Sequence, residues 1–85
     1  MKFTYTPKGV CSRGIELELD GDIIKNVKFF GGCSGNTQGV AKLVEGMNAE
    51  EAIRRLKGIK CAVRPTSCPD QLALALEKAL AESKN

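Results

Sequence analysis

At 85 residues the chain forms one domain, 1–85, and buries only about 60–65% of the surface its unfolded form exposes, so its modest core gains from a cross-link, metal or partner. The net charge of +3 is too weak to mark a nucleic-acid surface, and one Tyr, three Phe and no Trp leave few platforms for stacking bases. No run approaches the ~20 apolar residues that span a bilayer, and Met1-Lys2-Phe3-Thr4-Tyr5-Thr6 lacks the apolar core of a secretory leader, so the expectation is a cytoplasmic protein with no membrane partner.

Phe3 to Thr6 predicts a short strand with Phe3 and Tyr5 on one face. Pro7-Lys8-Gly9 breaks it, and Cys11-Ser12-Arg13-Gly14 is a second irregular point. Ile15-Glu16-Leu17-Glu18-Leu19 alternates apolar and acidic residues, the pattern of a strand buried on one side. Asp20-Gly21-Asp22 signals a tight hairpin. Ile23 to Phe30 returns as the next strand, and Ile23, Lys25, Val27 and Phe29 form its more apolar face, the one expected to meet the core. The simplest outcome is an antiparallel meander. If the Ile15–Leu19 hairpin lies at a sheet edge, it offers a pairing surface for a second copy and hence a homodimer.

The glycine-rich stretch from Gly31 to Gly39 then leads into a helix of roughly Thr37 to Glu45, with Val40, Ala41, Leu43 and Val44 as its apolar run and Gly46 as its stop. Asn48, with Glu51 three residues later, caps a helix that runs through about Lys57 and carries Ala52, Ile53 and Leu56 as its stripe. Gly58 ends it, and Ile59 to Arg64 is a connector holding Cys61. Arg54, Arg55, Lys57, Lys60 and Arg64 make a local basic patch, which fits a solvated helix face and loop. In Thr66-Ser67-Cys68-Pro69-Asp70, proline suits the first helical position and aspartate complements the helix dipole. Gln71 to Glu82 is rich in helix formers, and Leu72, Leu76 and Leu80, with Ala73 and Ala79, form a core-facing stripe. The order β-β-β-α-α-α predicts an α+β fold, a small antiparallel three-stranded sheet with helices packed on one face.

Four cysteines, Cys11, Cys33, Cys61 and Cys68, and no histidine define the available chemistry. In a reducing compartment such thiols point to metal binding or redox work rather than disulfides. Their successive separations of 22, 28 and seven positions contain no C-x-x-C, so any shared site is made by folding distant residues together. Cys33 and Cys68 each stand at a helix start, beside unpaired backbone N–H groups that favour thiolate over thiol. The plain alternative is that cysteines are small buried hydrophobes, and it is strongest for Cys61. Gly31, Gly32, Ser34, Gly35 and Asn36 have a second reading as an anion nest for the phosphate of a nucleotide or flavin. The stretch matches neither the P-loop nor the dinucleotide fingerprint, and a tight strand-to-helix turn also explains its glycines.

The motif Thr66-Ser67-Cys68-Pro69-Asp70, with four cysteines in a chain of this length, resembles the TSCPD-domain family of small bacterial proteins. The resemblance implies kinship with ribonucleotide reductases, notably vitamin-B12-dependent ones, in which this module is an appended C-terminal domain. Small members carry the label ribonucleoside-diphosphate reductase, but this chain is far too short for that enzyme's catalytic barrel and radical cysteine. The label therefore implies ancestry or partnership, not the activity.

A more distant resemblance is to iron–sulfur cluster scaffold proteins of the IscU/NifU type. Cys11 leads into the Ile15–Leu19 strand, Phe29-Phe30-Gly31-Gly32-Cys33-Ser34 stands at the second scaffold cysteine, and Leu43 to Ala52 matches the scaffold's helix-stop-helix stretch. Cys68 with Leu72 to Ala79 fits its late cysteine and final helix. That resemblance implies Cys11, Cys33 and Cys68 as ligands. The scaffold's aspartate two residues after its first cysteine is Arg13 here, the histidine before its last cysteine is Ser67, and Cys61 has no counterpart. Losing the aspartate and gaining a thiol implies a more permanent centre with four sulfur ligands.

The leading expectation is thus a metal-binding module in which Cys11, Cys33, Cys61 and Cys68 converge on zinc or an iron–sulfur cluster, the two left open, serving ribonucleotide reductase or another redox enzyme. The alternatives are a thiol-redox protein cycling a pair such as Cys61 and Cys68, and a phosphate- or flavin-binding module built on the Gly31 to Gly39 turn.

Overall fold

The alternation at 15–19 buries one side of the central strand of the sheet. β2 (Ser12–Asp20) lies between β1 (Lys2–Tyr5) and β3 (Ile23–Gly31), antiparallel to both. The computed structural model describes residues 2–7, 12–31, 34–60 and 66–83. Ile15, Leu17 and Leu19 are buried, while Glu16 opposes Lys28 and Glu18 opposes Lys2 on the other face. The three helices, α1 (Ser34–Val44), α2 (Ala49–Leu56) and α3 (Cys68–Ser83), complete the α+β order expected from the sequence. None of the described helices is long and apolar enough to cross a membrane. Because β2 is paired on both sides, Ile15–Leu19 is not an edge, and the pairing route to a homodimer through this strand is closed.

The face assigned to β3 requires correction. Glu18 pairs with Asn26 but Leu19 pairs with Ile24, so Lys25 is an extra residue in the ladder. This bulge breaks the strict period of two. It turns Ile24 fully inward and leaves Ile23 at 42% exposure, while Val27 and Phe29 stay opposite Leu17 and Ile15. The bulge lets three apolar cross-strand pairs share the core face, which strict alternation from Ile23 would not.

α1 begins at Ser34, three residues before the expected start at Thr37. Gly35 and Gly39 weaken a helix by about 1 kcal/mol each, but Thr37, Ala41 and Val44 recur at helical spacing and are buried, and the helix packs along β3. Leu43 falls off that stripe and is 78% exposed, so the expected apolar run of four contributes only part of itself to the core.

Gly46, at φ +89°, turns the chain back beside β3. Its N–H donates to the Ile24 carbonyl at 2.7 Å, and the Ile24 N–H donates to the Met47 carbonyl at 2.9 Å. The Ala49 N–H then donates to the Asp22 carbonyl at 2.7 Å, fixing the start of α2 at the hairpin end of the sheet. Asn48 caps that helix, its Oδ1 accepting from the N–H groups of Glu50 at 2.9 Å and Glu51 at 3.3 Å. Asn48→Ala is expected to cost about 1 kcal/mol of stability, measurable by urea unfolding. An unchanged midpoint would mean that the Asp22–Ala49 bond alone sets this helix start.

α3 is the hub. Leu72, Ala73, Ala75, Leu76, Ala79 and Leu80 are buried, and the helix packs on α2, α1, β2 and β1. The expected stripe of Leu72, Leu76 and Leu80 with two alanines is therefore the one the core uses.

Candidate functional site

The Thr66–Asp70 motif is built as a knot of short polar side chains around the first turn of α3. The Gln71 N–H donates to the Ser67 carbonyl at 2.8 Å, which makes Ser67 the cap and Cys68 the first helical residue. Pro69 is consequently second in the helix, not first as expected. The shift is free of penalty, because every N–H of the first turn lacks an intrahelical partner. Ser67 wins the cap because its hydroxyl accepts from the Asp70 N–H at 3.2 Å while donating to the Ile59 carbonyl at 2.6 Å. The spacing Ser67-x-x-Asp70 is itself a capping signature and was legible in the sequence.

Asp70 reaches outward with both oxygens. Oδ1 accepts from the Gly58 N–H at 2.7 Å and Oδ2 accepts from the Thr66 hydroxyl. Thr66 in turn accepts from Gln71 Nε2 at 3.0 Å, and Gln71 Oε1 accepts from the Tyr5 hydroxyl at 3.3 Å. Lys78 Nζ sits 5.4 Å from the centre of the Tyr5 ring, holding the same strand end against α3. Thr66, Ser67 and Gln71 are buried, and every buried side-chain nitrogen and oxygen among the described residues has a partner. Neither Tyr5 nor Gln71 was foreseen as part of this region, since nothing local links residues 66 positions apart.

These bonds bring one end of the sheet to the start of α3. Tyr5 pairs with Ile15, and at the same end Ser12 pairs with Gly31. Cys11 directly precedes Ser12, and Gly32 and Cys33 directly follow Gly31. α2 starts beside the hairpin and delivers Gly58 and Ile59 to this end, where Asp70 and Ser67 take them; Cys61 comes two residues later. Of the candidate ligands, Cys68 is described and is partly buried, whereas Cys11, Cys33 and Cys61, with Gly32, lie outside the described residues. Among the described residues, no group of three or more His, Cys, Asp or Glu is placed to hold a metal.

The remaining candidates are distributed as follows. Gly31 closes β3 at φ +80°, a backbone conformation that favours glycine, and a Cβ there would stand 3.2 Å from Arg13 Nε, so that side chain would have to shift. The backbone of Ser34, Gly35 and Asn36 forms the first turn of α1, a turn without acidic residues. Of the basic patch, three residues are ion-paired, and Arg64 lies outside the described residues. Arg54 and Arg55 both pair with Glu51, the latter at 2.8 Å, and Lys57 pairs with Glu77 at 2.9 Å. Such exposed pairs add little stability, but they mark a solvated helix face.

A family model described as the TSCPD domain matches residues 1–80. No curated protein and no solved structure gives a significant match to the chain.

Proposed function

Since the chain belongs to the TSCPD-domain family, a ribonucleotide-reductase-related group, we propose that it is a cysteine-ligated metal-binding module that accompanies ribonucleotide reductase or another redox enzyme. The observation that carries this reading is the shared end of the fold. Ser12, which follows Cys11, and Gly31, two residues before Cys33, are a register pair, and that end is tied through Tyr5 and Gln71 to the helical turn that begins with Cys68. The Ser67–Ile59 bond holds the residue two positions before Cys61 against the start of α3.

The donor chemistry fits. Four thiols without a histidine suit ions that accept soft sulfur ligands, zinc and iron–sulfur clusters, and do not suit calcium or magnesium. Tetrathiolate zinc would tie the sheet end to α3 and reinforce a small core, and a cluster would add one-electron transfer. The chain's own residues supply the supporting shell, because Ser67, Thr66 and Asp70 fix the backbone on either side of Cys68.

Anaerobic purification followed by plasma mass spectrometry and a visible spectrum tests the proposal. The expected result is about one metal centre per chain, colourless with zinc or brown with iron and sulfide. Four reactive thiols and no metal would reject it. A second reading, a dithiol–disulfide couple of Cys61 and Cys68, is favoured by the 2.6 Å bond that closes Ile59 onto Ser67; a reversible two-electron couple in metal-free protein is its signature.

A further inference from the structure

β3 ends the sheet, so one side of its backbone has no neighbouring strand. At the hairpin end that side is occupied, because Ile24 bonds to Gly46 and Met47 and Ile23 bridges to Asn48. Beyond the Lys25 bulge, no strand among the described residues pairs with it. The other terminal strand, β1, offers four residues against nine in β3. A groove of about 290 Å³ runs along the open edge. Its wall on the sheet is residues 26–29 in succession. Successive side chains of a strand point to opposite faces, so a groove that touches all four follows the edge itself. The facing wall is one stripe of α1, Thr37 and Ala41 with Gln38 and Lys42 beside them, continued by Glu45 just past the helix. Val27, Thr37 and Ala41 are buried and Phe29 is half-buried, which makes the floor mostly apolar, whereas Asn26, Lys28, Gln38 and Lys42 are exposed.

Charge selects the occupant. From Ile23 to Val44 the chain has three lysines, Lys25, Lys28 and Lys42, and no Asp or Glu, so the groove borders a stretch of one sign. Lys42 pairs with Glu45 at 3.8 Å, whereas Lys25 and Lys28 have no ion pair among the described residues. Lysines and a bulge are also the means by which natural edges avoid pairing with their own kind. Here the bulge lies at the covered end, and Lys25 and Lys28 set like charges against a second copy of β3 while attracting an acid. β2 already shows which strand β3 accepts: Glu16 stands opposite Lys28, with Leu17 opposite Val27 and Ile15 opposite Phe29. We propose that the open edge of β3, with the facing stripe of α1, takes an extended acidic segment of a partner protein as a fourth strand. Its acids lie beside Lys28, and its alternate, apolar side chains fill the groove. Backbone bonds to the edge give such an addition its affinity, and the side-chain pockets give its specificity. This docking surface uses no cysteine and stands apart from the metal reading.

The probe is a short acetylated and amidated peptide in which Glu and Leu alternate, titrated into the isotope-labelled full chain and followed by NMR shifts and amide exchange. Binding is expected to saturate, to shift the amides of residues 26–30 and to slow exchange at alternate ones, while the β1 amides stay unmoved. Methylating the peptide nitrogens of one alternate set should abolish binding and methylating the other should spare it, because only one set faces β3. Lys28→Glu should weaken the complex about tenfold, since it turns an opposite-charge cross-strand pair into a like one, and Lys28→Gln should weaken it less. Lys57→Glu, the same charge change just past α2, should leave the affinity within about twofold. A peptide that leaves β3 unmoved, or equal affinity for both methylated peptides, would overturn the proposal. So would equal losses in the two charge-reversed variants, which would show attraction by net charge alone. Protection of residues 26–30 that grows with protein concentration and needs no peptide would make the occupant a second copy and overturn it as well. The same protection by a single-stranded oligonucleotide in place of the peptide would do likewise.

Discussion

Leu76→Ala is expected to remove about 2–5 kcal/mol of stability and to lower the urea midpoint by on the order of 2 M. Leu76 is fully buried in the middle of α3, the helix against which both other helices and two strands pack. Truncation there loses the transfer energy of the removed carbons and leaves a cavity in an interior that collapses little. A domain of this size has a total stability on the order of 5–10 kcal/mol, so one side chain accounts for a large share of it. Leu43→Ala supplies the contrast. The residue type is the same, but Leu43 is 78% exposed and its loss should move stability by no more than about 0.5 kcal/mol. A Leu76 variant as stable as the Leu43 variant would show that the core closes around the sheet without α3.

The two leucines also show which parts of the fold the sequence makes legible. Signals that act within a few residues transfer directly into structure. The alternation at Ile15–Leu19, the Asp20-Gly21-Asp22 hairpin, the Asn48 cap, the Gly46 and Gly58 stops and the Leu72–Leu76–Leu80 stripe all appear where local chemistry requires them. Failures arise where a distant partner decides. Alternation in β3 is broken by the bulge at Lys25, whose cause is the need of Leu19 for Ile24 across the ladder. Leu43 looks apolar and therefore inward, but only helical phase relative to β3 decides that. The Ser67 cap is a local signal too, since the serine stands three residues before Asp70, although Pro69 taken alone predicts a helix that starts one residue later. At the candidate site the thiols were legible as a set, since their number and the lack of histidine restrict the chemistry. The tie between the sheet end and the start of α3 was not legible, because it depends on bonds such as Tyr5 to Gln71, which link the first strand to the last helix.

Cys68→Ser is expected to weaken metal binding by more than about a hundredfold, beyond the loss that follows removal of a supporting outer residue. The exchange replaces a soft sulfur by a hard oxygen of similar shape, and zinc and iron–sulfur centres select for the former. The polypeptide around it should stay folded, because the cap is made by the Ser67 hydroxyl and further bonds by Thr66, Asp70 and Gln71, all of which the variant retains. Binding to the native state alone links affinity to stability, so metal at a thousandfold excess over its dissociation constant adds about 4 kcal/mol. A chelator should therefore lower the unfolding midpoint of the native sequence and leave that of Cys68→Ser where it was. The pairing of these two measurements is what gives the prediction its force. A variant that keeps its metal removes Cys68 from the ligand set, and with it the only candidate ligand whose position at the start of α3 is directly described. A variant that loses the metal but responds to chelator as the native chain does would mean that the stability change reports something other than this centre. Only loss of both the metal and the chelator response ties the first residue of α3 to the centre and to the energy that holds the sheet end against the helix.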